Sequence, residues 1–215
     1  MAILGGPPLD FLAANKPPLT LVSDPLDTLS DAYVWVDASN NGDKIVYDIS
    51  AARLRLRTAG GNAHVSGALV HPNSFNVKGY DQFCQVRWLS GVANCTAGPA
   101  VGLGLNSQFG VGLFDGYVFS ALPGVRWDLY RCRAPSGVNI ANNLQVPVGG
   151  ETIRIEITFG SVANRIVCYV DGIVLIDFSD NLATRPPDGI PGIGSIAFTN
   201  ATGSVTFKNL LSNKM

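Results

Sequence analysis

The residues best suited to chemistry fall in one run, Val125-Arg-Trp-Asp-Leu-Tyr-Arg-Cys-Arg. In an extended segment successive side chains point to opposite faces, so Arg126, Asp128 and Tyr130 share one side while Val125, Trp127 and Leu129 share the other. With the second side in a core, the first presents an aromatic ring beside a guanidinium and a carboxylate. That is what a sugar requires: a ring to stack on, and charged groups that bond hydroxyls in pairs. The competing reading is a solvated strand whose arginine and aspartate pair with each other. Tyr33 and Trp35 are a weaker candidate, with packing the plainer role.

Catalytic groups are sparse. Only two glutamates are present, Glu151 and Glu156. Their odd separation puts them on opposite faces if both lie in one strand, whereas glycan hydrolysis needs two facing carboxylates. Asp24, Asp27, Asp31, Asp43 and Asp180 read as loop residues and Asp171 as a turn residue. No G-x-S-x-G elbow occurs, and a Ser-His-Asp set would have to recruit His64 or His71, next to Val65 and Pro72. Gly102-Leu-Gly104 and Gly110-Val-Gly112 are incomplete dinucleotide fingerprints that precede strands, so they read as thin places in curved strands. Cys84, Cys95, Cys132 and Cys168 are too widely spaced for a metal or redox motif. Cys84 and Cys168 are expected to be buried thiols, with a Cys84–Cys95 hairpin bridge as the alternative. No enzymatic activity, metal or cofactor is expected.

These side chains must be positioned by strands. Thirteen short strand-like runs, separated by Gly, Pro, Asn, Asp and Ser, span residues 33 to 210, and no segment of helical length carries an apolar stripe. Thr152 to Phe159 alternates strictly, with Ile153, Ile155, Ile157 and Phe159 on one face and Thr152, Arg154, Glu156 and Thr158 on the other. Asp171-Gly172 between Ile166-x-Cys168-x-Val170 and Val174-x-Ile176-x-Phe178 is the strongest hairpin signal, and Cys84, Val86 and Trp88 share a core face. Apolar residues make up 47% of the 215 and charged residues 14%, against roughly 25% charged on average, so a large core is affordable and disorder is not expected. The expected architecture is all-β, with residues 20–215 forming one sandwich domain.

Residues 1–19 differ. Pro7-Pro8 and Pro17-Pro18 preclude a regular central strand, yet Ile3, Leu4, Leu9, Phe11 and Leu12 are too apolar for a solvated tail. The segment is expected to be an extended arm that anchors the domain to a neighbouring subunit. It has neither the basic nor the apolar region of a signal peptide, and no apolar run is long enough to span a membrane. With a net charge of −1 and no basic cluster, a nucleic-acid partner is not expected.

Trp35, Ala52-Arg-Leu-Arg-Leu-Arg-Thr, Cys168-Tyr-Val-Asp-Gly-Ile-Val-Leu-Ile-Asp-Phe-Ser-Asp, Gly189-Ile-Pro-Gly-Ile-Gly-Ser-Ile-Ala-Phe and Val205-Thr-Phe-Lys-Asn-Leu, taken in order, resemble the laminin-G-like or concanavalin A-like lectin/glucanase superfamily. The resemblance implies a jelly-roll sandwich of two curved antiparallel sheets and covers roughly residues 20 to 211. It also implies a calcium option, since several relatives hold the ion in an aspartate-bearing loop, here Asp177 to Asp188; loop aspartates more often face water. The glucanase pattern E-x-D-x-x-E is absent. A domain of this kind preceded by an apolar proline-rich arm resembles bacteriophage minor tail or capsid-decoration proteins. The expected function is therefore a non-enzymatic virion structural protein, homo-oligomeric or part of a larger particle, that contacts host-surface glycans. A free lectin-like module is the alternative, and a glycoside hydrolase a third.

Overall fold

The computed structural model describes residues 20–28, 34–37, 45–49, 54–58, 66–70, 81–89, 97–105, 116–133, 136–181, 183, 190–197 and 204–214. The arm at 1–19, with Ile3, Leu4, Leu9, Phe11 and Leu12, lies outside them. In chain order the strands are β1 (Thr20–Asp24), β2 (Val34–Asp37), β3 (Ile45–Ile49), β4 (Leu54–Thr58), β5 (Ser66–Val70), β6 (Gln82–Trp88), β7 (Ala97–Leu105), β8 (Gly116–Leu122), β9 (Arg126–Arg133), β10 (Ser136–Asn143), β11 (Thr152–Thr158), β12 (Ala163–Val170), β13 (Ile173–Asn181), β14 (Ile190–Ala197) and β15 (Ser204–Lys214).

These form two antiparallel sheets. The first runs β13-β12-β11-β6-β15-β4-β3, with β1 also paired to β15; the second runs β10-β9-β8-β7-β14-β5-β2. The architecture is the expected all-β sandwich. Its interior is built from the period-two faces: Ile153, Ile155 and Ile157 of β11, Cys84, Val86 and Trp88 of β6, and Phe119, Trp127 and Leu129 of the opposite sheet are all buried in one cluster. Phe119 stacks on Trp127 at 5.2 Å between centroids, and Trp88 meets Trp127 edge-on at 6.3 Å, so aromatic rings from both sheets interlock at the centre. Each such large side chain contributes about 1.5–3 kcal/mol by leaving water.

Prolines fall where the ladders allow them. Pro99 lies in β7 opposite Ser195, beyond the end of the β7–β8 pairing that starts at Ala100. Pro191 occupies the register shift between Ile190 and Gly192, where a missing N–H interrupts no regular rung.

The structure departs from the sequence reading in several places. β1 and β10 are strands that the apolar pattern does not reveal. Val125 sits in the turn before β9 and is 49% exposed rather than sharing the core face of Trp127 and Leu129. The β12–β13 hairpin turns at Asp171-Gly172 as expected, with φ of 49° and 79°, both in the left-handed region that a tight twisted hairpin demands. A register shift after Cys168 then pairs Tyr169 with Val174 and Cys168 with Ile176. This bulge sends Val174 outward, 51% exposed, while Ile176 stays in the core. Asp180 is a buried strand residue and not a loop residue, and Asp177 also lies in β13. Cys84 is a buried thiol that donates to the Gly192 carbonyl at 3.4 Å, so it is not bridged to Cys95. Burial pushes the Cys84 thiol up to about 12 and that of Cys168 well above its usual range, which leaves both inert.

Candidate ligand-binding site on the outer face of the second sheet

Strand β9 places Trp127 and Leu129 in the core, so the pleat turns Arg126, Asp128 and Tyr130 to the outer face of the sheet. The three are brought together, with Asp128 at the centre. Arg126 Nε donates to Asp128 Oδ1 at 2.8 Å, and Tyr130 Oη donates to Oδ2 at 3.3 Å. A fourth residue joins them: Asn139 of β10, the cross-strand partner of Tyr130, donates from Nδ2 to Asp128 Oδ1 at 2.7 Å. Cross-strand neighbours share a face, and β10 thereby completes a quartet that the run on β9 only begins.

The sequence reading has Asp128 presented to a ligand, and the structure assigns it another place. Its carboxylate is 0% exposed, whereas the Arg126 side chain is 38% exposed and Asn139 lies in solvent. Asp128 is thus a buried anchor that fixes three donors at the surface. Inward of it, toward β8, the outer face is closed: Val118 and Ser120 are buried, and Ser120, the cross-strand partner of Asp128, has an Oγ without a hydrogen-bond partner. The accessible part of the site is therefore the strip over β9 and β10. Burial, together with the charge of Asp128 and the bond to it, raises the Tyr130 phenol to about 12, so its proton stays in place as a donor at neutral pH.

A second cluster of the same residue types lies between the sheets. Asp180 accepts from Tyr117 Oη at 2.6 Å and from Arg131 Nη1 at 2.6 Å, and Asn164 bonds to Tyr117. Tyr117, Asn164 and Asp180 are buried and Arg131 is partly buried, and the bonds tie β8 and β9 of one sheet to β12 and β13 of the other. Burial first, and the Asp180 carboxylate second, push the Tyr117 phenol far above its usual range. Asp177 is bound by Arg165 through Nε at 2.8 Å and Nη2 at 2.5 Å on the outer face of the first sheet. Of the calcium option at Asp177 to Asp188, Asp177 is held in an ion pair and Asp180 in the clamp, while Asp188 lies outside the described residues. Among the described residues no group of three or more metal-ligating side chains assembles.

The outer face of the first sheet carries its own polar row. Arg154 binds Glu156 and lies 4.0 Å above the Phe83 ring, and Tyr169 donates to Glu156 Oε2 at 2.9 Å. A shallow cleft of about 290 Å³ opens beside Phe83, Arg154 and Glu156. The arginine covers the aromatic face that a sugar would stack on, so this cleft is a poorer sugar site than the β9–β10 strip. The other glutamate, Glu151, precedes β11 and accepts from the backbone N–H groups of Val148 at 2.9 Å and Gly149 at 2.8 Å. The two glutamates thus lie in separate environments.

No protein-family model matches the chain, and no curated protein matches it by sequence. Solved structures do match by shape. A lectin from Bauhinia forficata in complex with GalNAc has a TM-score of 0.57 at 11% identity, covering 92% of this chain and 99% of that one. A native glycosidic hydrolase gives 0.60 at 11% identity, over 90% and 95%. Carbohydrate-binding module CBM66 from Bacillus subtilis gives 0.53 at 12% identity, over 85% and 96%. The fold is accordingly that of the concanavalin A-like lectins and glucanases, as the residue patterns imply.

Proposed function

We propose that this domain is a non-enzymatic glycan-binding module whose site is the strip formed by Arg126, Tyr130 and Asn139 around Asp128. The observation that carries the reading is the fully buried Asp128 carboxylate on an outward sheet face, holding a guanidinium, a phenol and a carboxamide at fixed spacing. A pre-organised set of donors loses little entropy when it meets hydroxyls, and the Tyr130 ring adds a stacking surface. The lectin and carbohydrate-binding module among the structures of like shape support a sugar as the ligand class. Binding is favoured over turnover because Asp128 is occupied by three donors and Glu156 by Arg154 and Tyr169.

On a glycan array, Tyr130→Ala is expected to weaken binding by roughly three- to tenfold, the worth of one stacking contact. Its melting temperature should stay near that of the wild type. An array with no bound glycan, or a variant that unfolds, overturns the site; sugar release that one carboxylate substitution abolishes overturns the non-enzymatic reading.

The setting we propose is a virion, with the domain held to tail or capsid subunits by Ile3, Leu4, Leu9, Phe11 and Leu12. Support comes from the sequence of the arm alone, apolar yet too rich in proline for a central strand. Deleting residues 1–19 should leave a folded domain that no longer enters the particle, and normal incorporation of the truncated chain would sink the idea.

A further inference from the structure

On the outer face of the first sheet Arg154 and Arg165 each stand beside an acid. Arg154 Nε donates to Glu156 Oε1 at 2.6 Å, and Arg165 Nε donates to Asp177 Oδ1 at 2.8 Å. Arg87 and Lys208 differ. Arg87 lies between the buried Val86 and Trp88, and Lys208 follows the buried Phe207, so the pleat turns both outward, the first exposed and the second half-buried. The β6–β15 register sets the two directly opposite each other, which brings their Cβ atoms to about 4.5–5.5 Å. Among the described residues neither side chain has an ion pair or a hydrogen bond.

Like charges placed opposite each other on two strands repel, and here the ladder holds them in place. A slip of one residue would turn Phe207 out to water, so the register is fixed by the core. The bulge that follows Lys208 is fixed as well: Asn209, with φ of 57°, bonds through its N–H to the Pro25 carbonyl at 3.2 Å. The acids nearby are engaged elsewhere. Glu151 binds the N–H groups of Val148 and Gly149, Glu156 is held by Arg154 and Tyr169, and the ladder sets Asp48 across from Arg55. Hydroxyl groups flank the two cations on the same face: Thr152 is the β11 partner of Arg87, and Thr206 lies two positions before Lys208.

We propose that Arg87 and Lys208 form a binding site for a tetrahedral oxyanion, a sulfate or phosphate group, carried on a saccharide or free in solution. The site is separate from the β9–β10 strip and stands whether or not that strip binds a sugar. A guanidinium offers a planar fork of donors and an ammonium a compact charge with three more. One tetrahedral group has oxygens enough to meet both cations at once, whereas the two oxygens of a carboxylate are taken up by the fork alone. Its arrival replaces the repulsion between Arg87 and Lys208 with two charge-assisted contacts. A polynucleotide is a poorer match, because two cations neutralise few phosphates and the Phe83 ring, on which a base could stack, lies under Arg154.

Isothermal titration of the full chain tests this with four probes: inorganic phosphate, a heparin hexasaccharide, the same hexasaccharide stripped of sulfate, and a short single-stranded oligonucleotide. Phosphate or the sulfated hexasaccharide should bind below about 1 mM, and the desulfated one, which keeps its carboxylates, should not. Tighter binding of the sulfated hexasaccharide than of phosphate marks a saccharide ester as the source, and equal binding marks the free anion. Arg87→Gln and Lys208→Gln should each weaken binding about three- to tenfold. Their melting temperatures should match or exceed that of the wild type, since each removes one of two opposed like charges. Tyr130→Ala, on the other sheet, should leave the titration unchanged. A wild type that binds neither anion overturns the proposal, as does binding that the folded double variant retains in full. Preference for the oligonucleotide over both anions overturns it too, by assigning the pair to a nucleic acid.

Discussion

Asp128 and Asp180 are built alike and used differently. Each is buried and met by an arginine and a tyrosine, with an asparagine completing each cluster: Asn139 bonds Asp128 directly, and Asn164 bonds Tyr117 beside Asp180. Arg126, Tyr130 and Arg131 all come from β9, and the change of face between Tyr130 and Arg131 sends the first two outward to Asp128 and the third inward to Asp180. One run of sequence thus feeds two quartets on opposite sides of one sheet. The outer quartet opens its donors to solvent along β9 and β10; the inner one ties two sheets together and reaches solvent only through part of Arg131.

Substituting the two aspartates should separate the roles most strongly. Asp180→Asn leaves a mostly buried guanidinium without its counter-charge and is expected to cost about 2–4 kcal/mol in denaturant unfolding. Asp128→Asn should cost less, about 1–2 kcal/mol, because Arg126 and Asn139 can turn to water, but it should also disorder the donors and diminish glycan binding. Equal losses of stability would collapse the distinction between clamp and site.

A smaller effect sharpens it. Free tyrosine gives up its proton near pH ~10, whereas Tyr130 holds its own to about 12 through burial and the Asp128 charge. Between those values the unfolded chain is deprotonated and the native site is not, so unfolding free energy falls as pH rises through that window. Tyr130→Phe should flatten part of this fall, and the slope that remains reports the other groups raised in the same direction, Tyr117, Tyr169, Cys84 and Cys168. An alkaline stability profile identical in the wild type and Tyr130→Phe would mean that Tyr130 does not feel the carboxylate.

Much of the fold is legible in the residues because one-sided burial leaves a period of two. The Ile153-Ile155-Ile157 face, the Asp171-Gly172 turn and the core position of Trp88 all follow from that rule. β10 does not, since Ser-Gly-Val-Asn-Ile-Ala-Asn-Asn is, among the described residues, the terminal strand of its sheet, where neither face needs an apolar row. With β10 unseen, Asn139 is unseen too, and one of the three donors to Asp128 is hidden. Asp180 misleads for a different reason: its partners Tyr117 and Arg131 stand 63 and 49 residues away, and only folding brings a carboxylate enough donors to enter a core. The outward turn of Val174 depends on a single-residue bulge, which leaves no mark on composition.

The placement of β15 bears on how a ribosome could deliver this domain. The last of the described strands lies in the interior of its sheet, with β6 along one edge and β4 and then β1 along the other. Thr20 pairs with Lys214, so the first described strand cannot be seated until the last has emerged. The pairings of β1, β4 and β6 with β15 therefore come last, whereas the β6–β11–β12–β13 ladder can form before β15 is made. Until β15 has been made, β4 and β6 wait without their shared partner, the long-range pairing comes late, and the nascent chain is exposed to aggregation. Production at low temperature or with holding chaperones should favour soluble protein for this topological reason.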